Sequence, residues 1–312
     1  MTNKILNKAK YTNNTDEWYT DYKTVEDELK HYQQHFEDKA VLCNCDDPYE
    51  SSFTKYFLKH FNSLKLKKLT CTSYKNSKIQ HTKNTLKQNK TNIKKAAYVL
   101  IVKKIPVEHN GTIDDNEVKT FLNNSANVKK LSGDGDFSSE ECVKHLIEAD
   151  IIVTNPPFSK FTKLFNLIKR HKKKYLLIGN QNAITYKDIF PEIKKGKAWI
   201  GYQFGDMSFK VPNDTPPRNT RFWIDKSGQK WRSIGNAMWL TNLDNEKKHQ
   251  SLVLKTYYDP KKHPKYDNYD AINISKVSEI PMDFSGIMGV PLTFLKYHNE
   301  NQFDIIGEAN HG

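Results

Sequence analysis

The chain alternates between short apolar runs and longer segments in which apolar residues recur every three to four positions. The apolar runs predict buried strands at residues 39–43, 67–73, 96–105, 151–153, 174–178, 197–203 and 237–241. The periodic segments predict helices at residues 24–36, 49–61, 138–148, 161–168 and 186–194, the first of them capped by Thr24. Strands that alternate with helices predict an α/β fold with a mainly parallel, doubly wound sheet and late antiparallel strands.

Three polar stretches interrupt this alternation. Residues 1–15 are polar and expected to be loosely held, and residues 76–95 are lysine-rich and predict a loop. Residues 204–233 combine Pro, Asp, Asn, Arg and aromatic residues without a regular period. A loop of that length in a compact domain is usually functional or disordered. We therefore predict a larger domain at 1–245 with an insertion near 204–233, followed by a C-terminal region at 246–312.

A stiff polar turn follows the strand predicted at 151–153. Asn155 is followed by Pro156, Pro157 and Phe158, and the two prolines force an extended backbone. The side-chain oxygen of Asn155 and the carbonyl of Pro156 can accept the two protons of an exocyclic amino group, and Phe158 can stack on a flat base. Ligands of such folds bind beyond the C-terminal ends of strands, where this turn lies. The same four residues also form ordinary turns in many proteins.

Composition narrows the class of partner. Lys and Arg number 49 against 36 for Asp and Glu, a formal charge of +13, which favours a polyanion such as nucleic acid but also fits a lysine-rich proteome. The four cysteines lack paired zinc spacing, and the histidines show no metal-binding pattern. With no secretory signal and no apolar run long enough to span a membrane, we expect a cytoplasmic protein.

Seven segments of the chain together resemble the EcoRI-type adenine-specific DNA methyltransferases. The matching segments are Asp-Glu-Trp-Tyr-Thr at 16–20, Cys-Asp-Asp-Pro at 45–48, Gly-Asp-Gly-Asp-Phe at 133–137, Thr-Asn-Pro-Pro-Phe-Ser at 154–159, and residues 177–186, 266–271 and 286–294. The resemblance extends from about residue 4 to residue 308. It implies a Rossmann-like methyltransferase fold, with S-adenosyl-L-methionine as cofactor, double-stranded DNA as partner and no required metal. It also implies a restriction-modification or phage/host protection context.

The resemblance assigns cofactor contacts to three places. Trp18 and Tyr19 would face the sulfonium group, since a cation is attracted to ring faces; alone, they read as a loop before a helix. Asp46 and Asp47 replace the usual Gly-x-Gly, and would either bind the methionine ammonium group or cap the next helix. The pair at 136–137 would meet the cofactor adenine, with the Asp136 carboxylate accepting from its amino group and Phe137 on its ring. The competing interpretation of this pair is a capped turn.

The remaining roles concern catalysis and DNA. Residues 155–158 would form the catalytic turn for direct transfer to N6 of a flipped adenine. The insertion in the methyltransferase domain would contact DNA, with the C-terminal region acting as an accessory or recognition region. Basic residues would bind DNA there, namely Lys210, Arg218, Arg221 and Arg232. We expect a monomer or weak dimer. The alternatives are an RNA or protein amide methyltransferase and a DNA-binding protein with a decayed cofactor site.

Overall fold

The computed structural model describes residues 18–77, 96–106, 112–124 and 127–309. The predicted loose segment at 1–15 and most of the predicted loop at 76–95 lie outside these residues, as do Asp16 and Glu17. The described strands are β1 Tyr19–Thr20, β2 Ala40–Cys43, β3 Lys68–Thr72, β4 Tyr98–Val102, β5 Val128–Lys130, β6 Ile151–Thr154, β7 Lys174–Asn180, β8 Trp199–Lys210, β9 Phe222–Ile224, β10 Lys230–Thr241, β11 Ile272–Asn273 and β12 Met288–Gly289. The described α-helices are α1 Tyr22–Leu29, α2 Ser52–Lys59, α3 Asp115–Asn123, α4 Glu140–Glu148, α5 Phe161–Arg170 and α6 Phe190–Lys194.

One large sheet organises the chain. Its strand order is β1-β8-β10-β7-β6-β2-β3-β4-β5, and β9 pairs with the outer part of β10. The four central strands β7, β6, β2 and β3 are parallel, and the strands on both sides of them are antiparallel. The predicted α/β, Rossmann-like class is confirmed, although antiparallel strands make up more of the sheet than expected.

Helices cover both faces of this sheet. On one face, Val25 of α1 and Phe53 and Phe57 of α2 pack with Val41 and Val153. On the other, Leu146 of α4 and Phe161, Leu164 and Phe165 of α5 pack with neighbouring residues of the same strands, such as Leu42 and Ile152. Successive strand residues point to opposite faces, so a run such as 151–153 must be apolar throughout when both faces are covered. This explains why the central strands are the clearest signals in the sequence.

The ends of several elements differ from the prediction. Helix α1 is capped by Asp21, not Thr24, because the Asp21 carboxylate accepts from the Thr24 amide at 3.4 Å. It ends at Leu29 and is followed by a 3-10 turn at Gln33–His35. Helix α3 and strand β5 were not predicted. Helix α3 buries little apolar surface, and its sequence signal is a capping box formed by Asp114 and Glu117.

About half of the stretch at 204–233, predicted as a long loop, is β-structure, formed by the end of β8, by β9 and by the start of β10. Strands β8 and β10 are each twelve residues long and pair antiparallel along most of their length within the large sheet. Strand β9 pairs with the start of β10 as a third strand, which places Trp223 opposite Trp231. We call residues 204–233 the arm. Nearly all of its side chains are half-buried or exposed, so its strands lack the apolar runs on which the prediction depended.

The C-terminal region forms a small core of its own. Ile272, Ile274, Ile280 and Phe294 pack together around the two-stranded pairing of β11 and β12. Among the residues that the structure describes, none of the helices is both long and apolar enough to cross a membrane.

Candidate active site

A pocket lies at the C-terminal ends of the parallel strands. The chain reaches it directly after β2, β3 and β6, and again just before α4. About 490 Å³ of space, part of it open to solvent, lies between the lining residues. These are Trp18, Tyr19, Asn44, Cys45, Tyr74, Ser77, Gly135, Asp136, Phe137, Asn155, Pro157 and Lys160. Segments that are far apart in the sequence, at 18–19, 136–137 and 155–157, therefore meet in one place, as the resemblance required.

The side chain of Asn155 is held in a defined orientation. It follows β6 directly, and its Nδ2 donates to the main-chain carbonyl of Trp18 at 2.6 Å. Because the amide nitrogen is engaged as a donor, Oδ1 is the atom that the side chain offers to a ligand as an acceptor. Pro157 lines the pocket and Pro156 is buried next to it in the chain. The turn then tightens, with the Lys160 amide donating to the Pro157 carbonyl at 2.8 Å.

An aromatic cluster stands beside this amide. The rings of Trp18 and Phe158 meet edge to face at 6.4 Å between centroids, and Phe209 of β8 lies 6.0 Å from Trp18 and 6.3 Å from Phe158. Phe158 is half-buried. Of these three rings only Trp18 lines the pocket; Phe158 and Phe209 pack behind it, so the indole is the apolar surface next to the acceptor.

Another part of the pocket lining is a charged hydrogen-bond network around Asp136. Asp136 accepts from the Ser138 amide at 2.9 Å and from the Ser138 hydroxyl at 2.6 Å, and from Lys160 Nζ at 3.0 Å. Burial alone would raise the pKa of Asp136, but these hydrogen bonds hold it at about 2. The carboxylate is therefore an anion at neutral pH. Phe137 is almost fully buried, and Lys160 Nζ also lies 5.0 Å from the centre of the Tyr74 ring.

The comparison with known proteins decides the family. The profile of the family described as adenine-specific methyltransferase EcoRI matches residues 5–312. This chain belongs to the EcoRI family of adenine-specific methyltransferases. It is 41% identical over 316 residues to the Type II methyltransferase M.EcoRI of Escherichia coli, an alignment that covers 98% of this chain and 89% of that protein.

Two further EcoRI-like relatives come from mycoplasmas. The Type II methyltransferase M.MgeORF184P of Mycoplasma genitalium is 35% identical over 307 residues, covering 96% of this chain and 85% of the relative. The Type II methyltransferase M.MpnI of Mycoplasma pneumoniae is 34% identical over 307 residues, covering 96% and 84%. No solved structure matches the chain significantly. The predicted EcoRI-type family and its methyltransferase class are thus confirmed.

In this EcoRI-family chain, Asp46 and Asp47 do not line the pocket. Asp46 is fully buried and accepts from the hydroxyls of Ser51 and Thr154, both at 2.7 Å. Asp47 is also buried and accepts from the backbone amides at Tyr49 and Glu50. Burial raises the pKa of each carboxyl to about 7. Neither carboxylate caps α2, because its N-cap is Ser51. Both organise the turn before this helix, and the contact with the methionine ammonium group stays a prediction.

The predicted DNA-contacting residues occupy different environments. Lys210 forms an ion pair with Glu50 at 2.7 Å and is only 14% exposed, so it lies inside the protein rather than on a surface that DNA can reach. Arg218 and Arg221 are exposed, and Arg221 pairs with Asp206 across the arm. Arg232 is half-buried, with its guanidinium 4.9 Å from the centre of the Trp18 ring. Only two of the four therefore present an exposed cation.

Several lining residues were not predicted. Asn44 and Cys45 follow β2, Tyr74 and Ser77 follow β3, and Lys160 follows the turn at 155–158. The rule that ligands bind beyond the C-terminal ends of parallel strands points to the first four, because each lies within a few residues of such an end. Lys160 has no comparable signal in the sequence, since its role depends on Asp136, which lies 24 positions away.

Proposed function

We propose that this protein transfers a methyl group from S-adenosyl-L-methionine to N6 of an adenine in double-stranded DNA. The observation that carries the proposal is the orientation of Asn155, which presents Oδ1 as an acceptor at the edge of an aromatic-walled pocket. Membership of a family of adenine-specific methyltransferases, with Type II methyltransferases among its relatives, supports the substrate class.

The pocket has the properties that the cofactor requires. The anionic Asp136, together with Phe137 and Tyr74, would hold an adenine through its amino group and ring. Trp18 and Tyr19 would lie against the sulfonium end, since ring faces attract cations. When bound, the cofactor would supply an electrophilic methyl group.

The protein's part in the reaction is to prepare the amino group. The lone pair of an adenine amino nitrogen is delocalised into the ring, so the nitrogen is a poor nucleophile. The acceptors Asn155 Oδ1 and the Pro156 carbonyl would draw the two N–H bonds out of the ring plane and localise that lone pair. Acceptors fixed in advance act strongly in a site that excludes water. Phe158, which is half-buried beside Trp18, would hold the base after it is flipped out of the duplex.

The arm is the proposed DNA contact. The chain has 45 lysines and only four arginines, and two of these arginines, Arg218 and Arg221, are exposed on the arm. Arginine reads base edges and phosphates through a planar fork that lysine lacks, so this concentration favours a recognition role. Trp223 and Ile224, on β9, are 41% and 57% exposed. We propose that the C-terminal region at 246–312 contributes the rest of the surface, and that the enzyme works as a monomer or weak dimer in a restriction-modification or phage/host protection setting.

The direct test is to express the protein in a host and to sequence the host DNA for N6-methyladenine. We expect methylated adenine within one short recurring sequence, absent from cells that carry an empty vector. Modification of RNA or protein but not DNA would support the RNA or amide methyltransferase alternative. Binding of DNA without any methylation would indicate a decayed cofactor site.

Replacing Asp136 with alanine should weaken cofactor binding about tenfold or more, because a hydrogen bond to a charged acceptor contributes roughly 1.5–3 kcal/mol. DNA affinity should be nearly unchanged. Isothermal titration calorimetry with S-adenosyl-L-methionine measures the effect. Glu140→Ala is the control, since Glu140 begins the following helix α4 but is exposed and outside the pocket. Equal affinities of the two variants would show that residues 133–137 form only a capping turn.

Replacing Arg218 and Arg221 together with glutamine should raise the DNA dissociation constant. Each lost phosphate contact lowers the slope of log affinity against log salt by about one unit, so we expect a decrease of about two. Cofactor affinity should not change. Arg170→Gln, at the exposed end of α5, is the control because Arg170 is the remaining arginine of the chain and lies outside the arm. An unchanged salt titration would place the recognition surface elsewhere, first at residues 255–273.

A further inference from the structure

The acceptor geometry of the site depends on a residue near the start of the described chain. Asn155 Nδ2 donates to the carbonyl of Trp18, and the two residues are 137 positions apart. An amide can rotate about its side-chain torsions, and a rotation that exchanges Nδ2 and Oδ1 would present a donor where an acceptor is needed. The Trp18 carbonyl opposes that rotation because it can only accept. The position of Trp18 therefore determines which atom Asn155 offers to the substrate.

The position of Trp18 is set in turn by the arm. Trp18 directly precedes β1, and β1 pairs with the end of β8, placing Tyr19 opposite Lys210 and Thr20 opposite Phe209. The Asp21 amide also donates to the Ser208 carbonyl at 2.9 Å. Through this pairing, the backbone that carries the Trp18 carbonyl is part of the same sheet as the arm.

The indole of Trp18 is held from several sides. Phe158 and Phe209 contact it as described above, and the guanidinium of Arg232 lies over it at 4.9 Å from the ring centre. Arg232 is on β10 directly opposite Phe209 on β8 and Phe222 on β9, in the middle of the three-stranded part of the arm. A guanidinium over an indole face is attracted by the ring quadrupole, and more strongly when it is partly desolvated, as it is for the half-buried Arg232.

We propose that Arg232 and Trp18 are positioning residues that couple the arm to the catalytic amide of Asn155. In this role Arg232 does not act as a phosphate contact. The Arg232 guanidinium holds the Trp18 indole in place, and the indole together with β1 holds the Trp18 carbonyl. That carbonyl accepts from Asn155 Nδ2 and so keeps Asn155 Oδ1 toward the pocket. Movement of the arm on DNA is thereby transmitted to the acceptor that prepares the amino group. The inference rests on the proposed function, since it assigns these residues to the methyl-transfer step.

The test separates methyl transfer from DNA binding. Single-turnover methylation of a duplex would be measured at saturating DNA and S-adenosyl-L-methionine, with the DNA dissociation constant and its salt slope measured by fluorescence anisotropy. For Arg232→Ala we expect a rate reduced on the order of 10- to 100-fold, because small misplacements of reacting groups have effects of that size. We expect the salt slope to stay unchanged and the dissociation constant to change less than about threefold.

Conservative variants exclude a merely structural explanation. Arg232→Lys keeps a cation near the ring but loses the planar group, so its rate should lie between those of the wild type and Arg232→Ala. Trp18→Phe keeps the carbonyl and an aromatic face, so it should retain more of the rate than Trp18→Ala. Arg170→Ala, on the exposed end of α5, should match the wild type in every measurement.

The outcomes are distinguishable. A raised dissociation constant with a lower salt slope and a normal rate at saturation would show that Arg232 is a phosphate contact and overturn the inference. A normal rate in the folded Trp18→Phe and Trp18→Ala variants would do the same. If the wild type itself methylates no adenine in DNA, the proposed function fails first.

Discussion

Asn155→Ala should abolish nearly all methylation while the protein stays folded. Removal of one preorganised hydrogen-bonding group from a transition state typically lowers the rate on the order of 100-fold or more. Cofactor affinity should be close to that of the wild type, because the predicted cofactor contacts at Asp136 and Phe137 belong to another segment of the pocket. Single-turnover methylation of a duplex measures the rate, and calorimetry measures the cofactor affinity.

Asn182→Ala is the matched control for this variant. Asn182 follows the neighbouring parallel strand β7, but its side chain is exposed and it does not line the pocket. Its methylation rate and thermal unfolding should be unchanged. A folded Asn155→Ala enzyme with near-normal turnover would remove Asn155 from the catalytic step.

Gly135→Ala should damage the cofactor side of the pocket. Gly135 has a φ of +76°, and an added Cβ would lie 2.0 Å from the Ser73 carbonyl oxygen and 2.8 Å from the Ala97 side chain. The left-handed conformation costs a non-glycine residue about 1–2 kcal/mol, and the backbone clash adds to that. We expect a free energy of unfolding lower by about 2–4 kcal/mol and cofactor binding weakened at least tenfold.

Gly133→Ala tests whether this effect belongs to the position or to the turn in general. Two residues earlier, the nearest atom to an added Cβ is a Glu141 carboxylate oxygen at 3.9 Å, an ordinary contact. Its change in unfolding free energy should stay within about 0.5 kcal/mol. Denaturant unfolding and cofactor calorimetry on both variants provide the comparison. Similar behaviour of the two would mean that the turn at 133–137 accommodates the extra methyl group by moving away from Ser73.

Much of the site could be predicted because it depends on local signals. Apolar runs fix the central strands, and parallel strands bring their C-terminal ends to one edge of a sheet. The sequence therefore placed Asn155 at that edge, and the resemblance to the EcoRI family added Asp136, Phe137, Trp18 and Tyr19. All five line the pocket.

What could not be predicted depends on partners distant in the sequence. Whether Asp46 faces the pocket or the interior is decided by the Thr154 hydroxyl, 108 positions away. Lys210 is drawn inside the protein, away from any DNA, by its ion pair with Glu50, 160 positions away. A carboxylate beside a strand end or a lysine in a polar segment looks the same in either environment. The strands of the arm were missed for a similar reason. They are held by backbone pairing between β8 and β10, which does not require an apolar side-chain pattern.

The pairing of β1 with β8 also affects when the enzyme can become active during synthesis. Tyr19 finds its partner only when Lys210 has left the ribosome, after about two-thirds of the chain has been made. Contacts so distant in sequence form late, because a long loop must close first. The nascent chain therefore carries the turn at 155–158 for some time before β1 can pair with β8. We expect cofactor-dependent protection from proteolysis to arise only in nascent chains long enough to expose the whole arm.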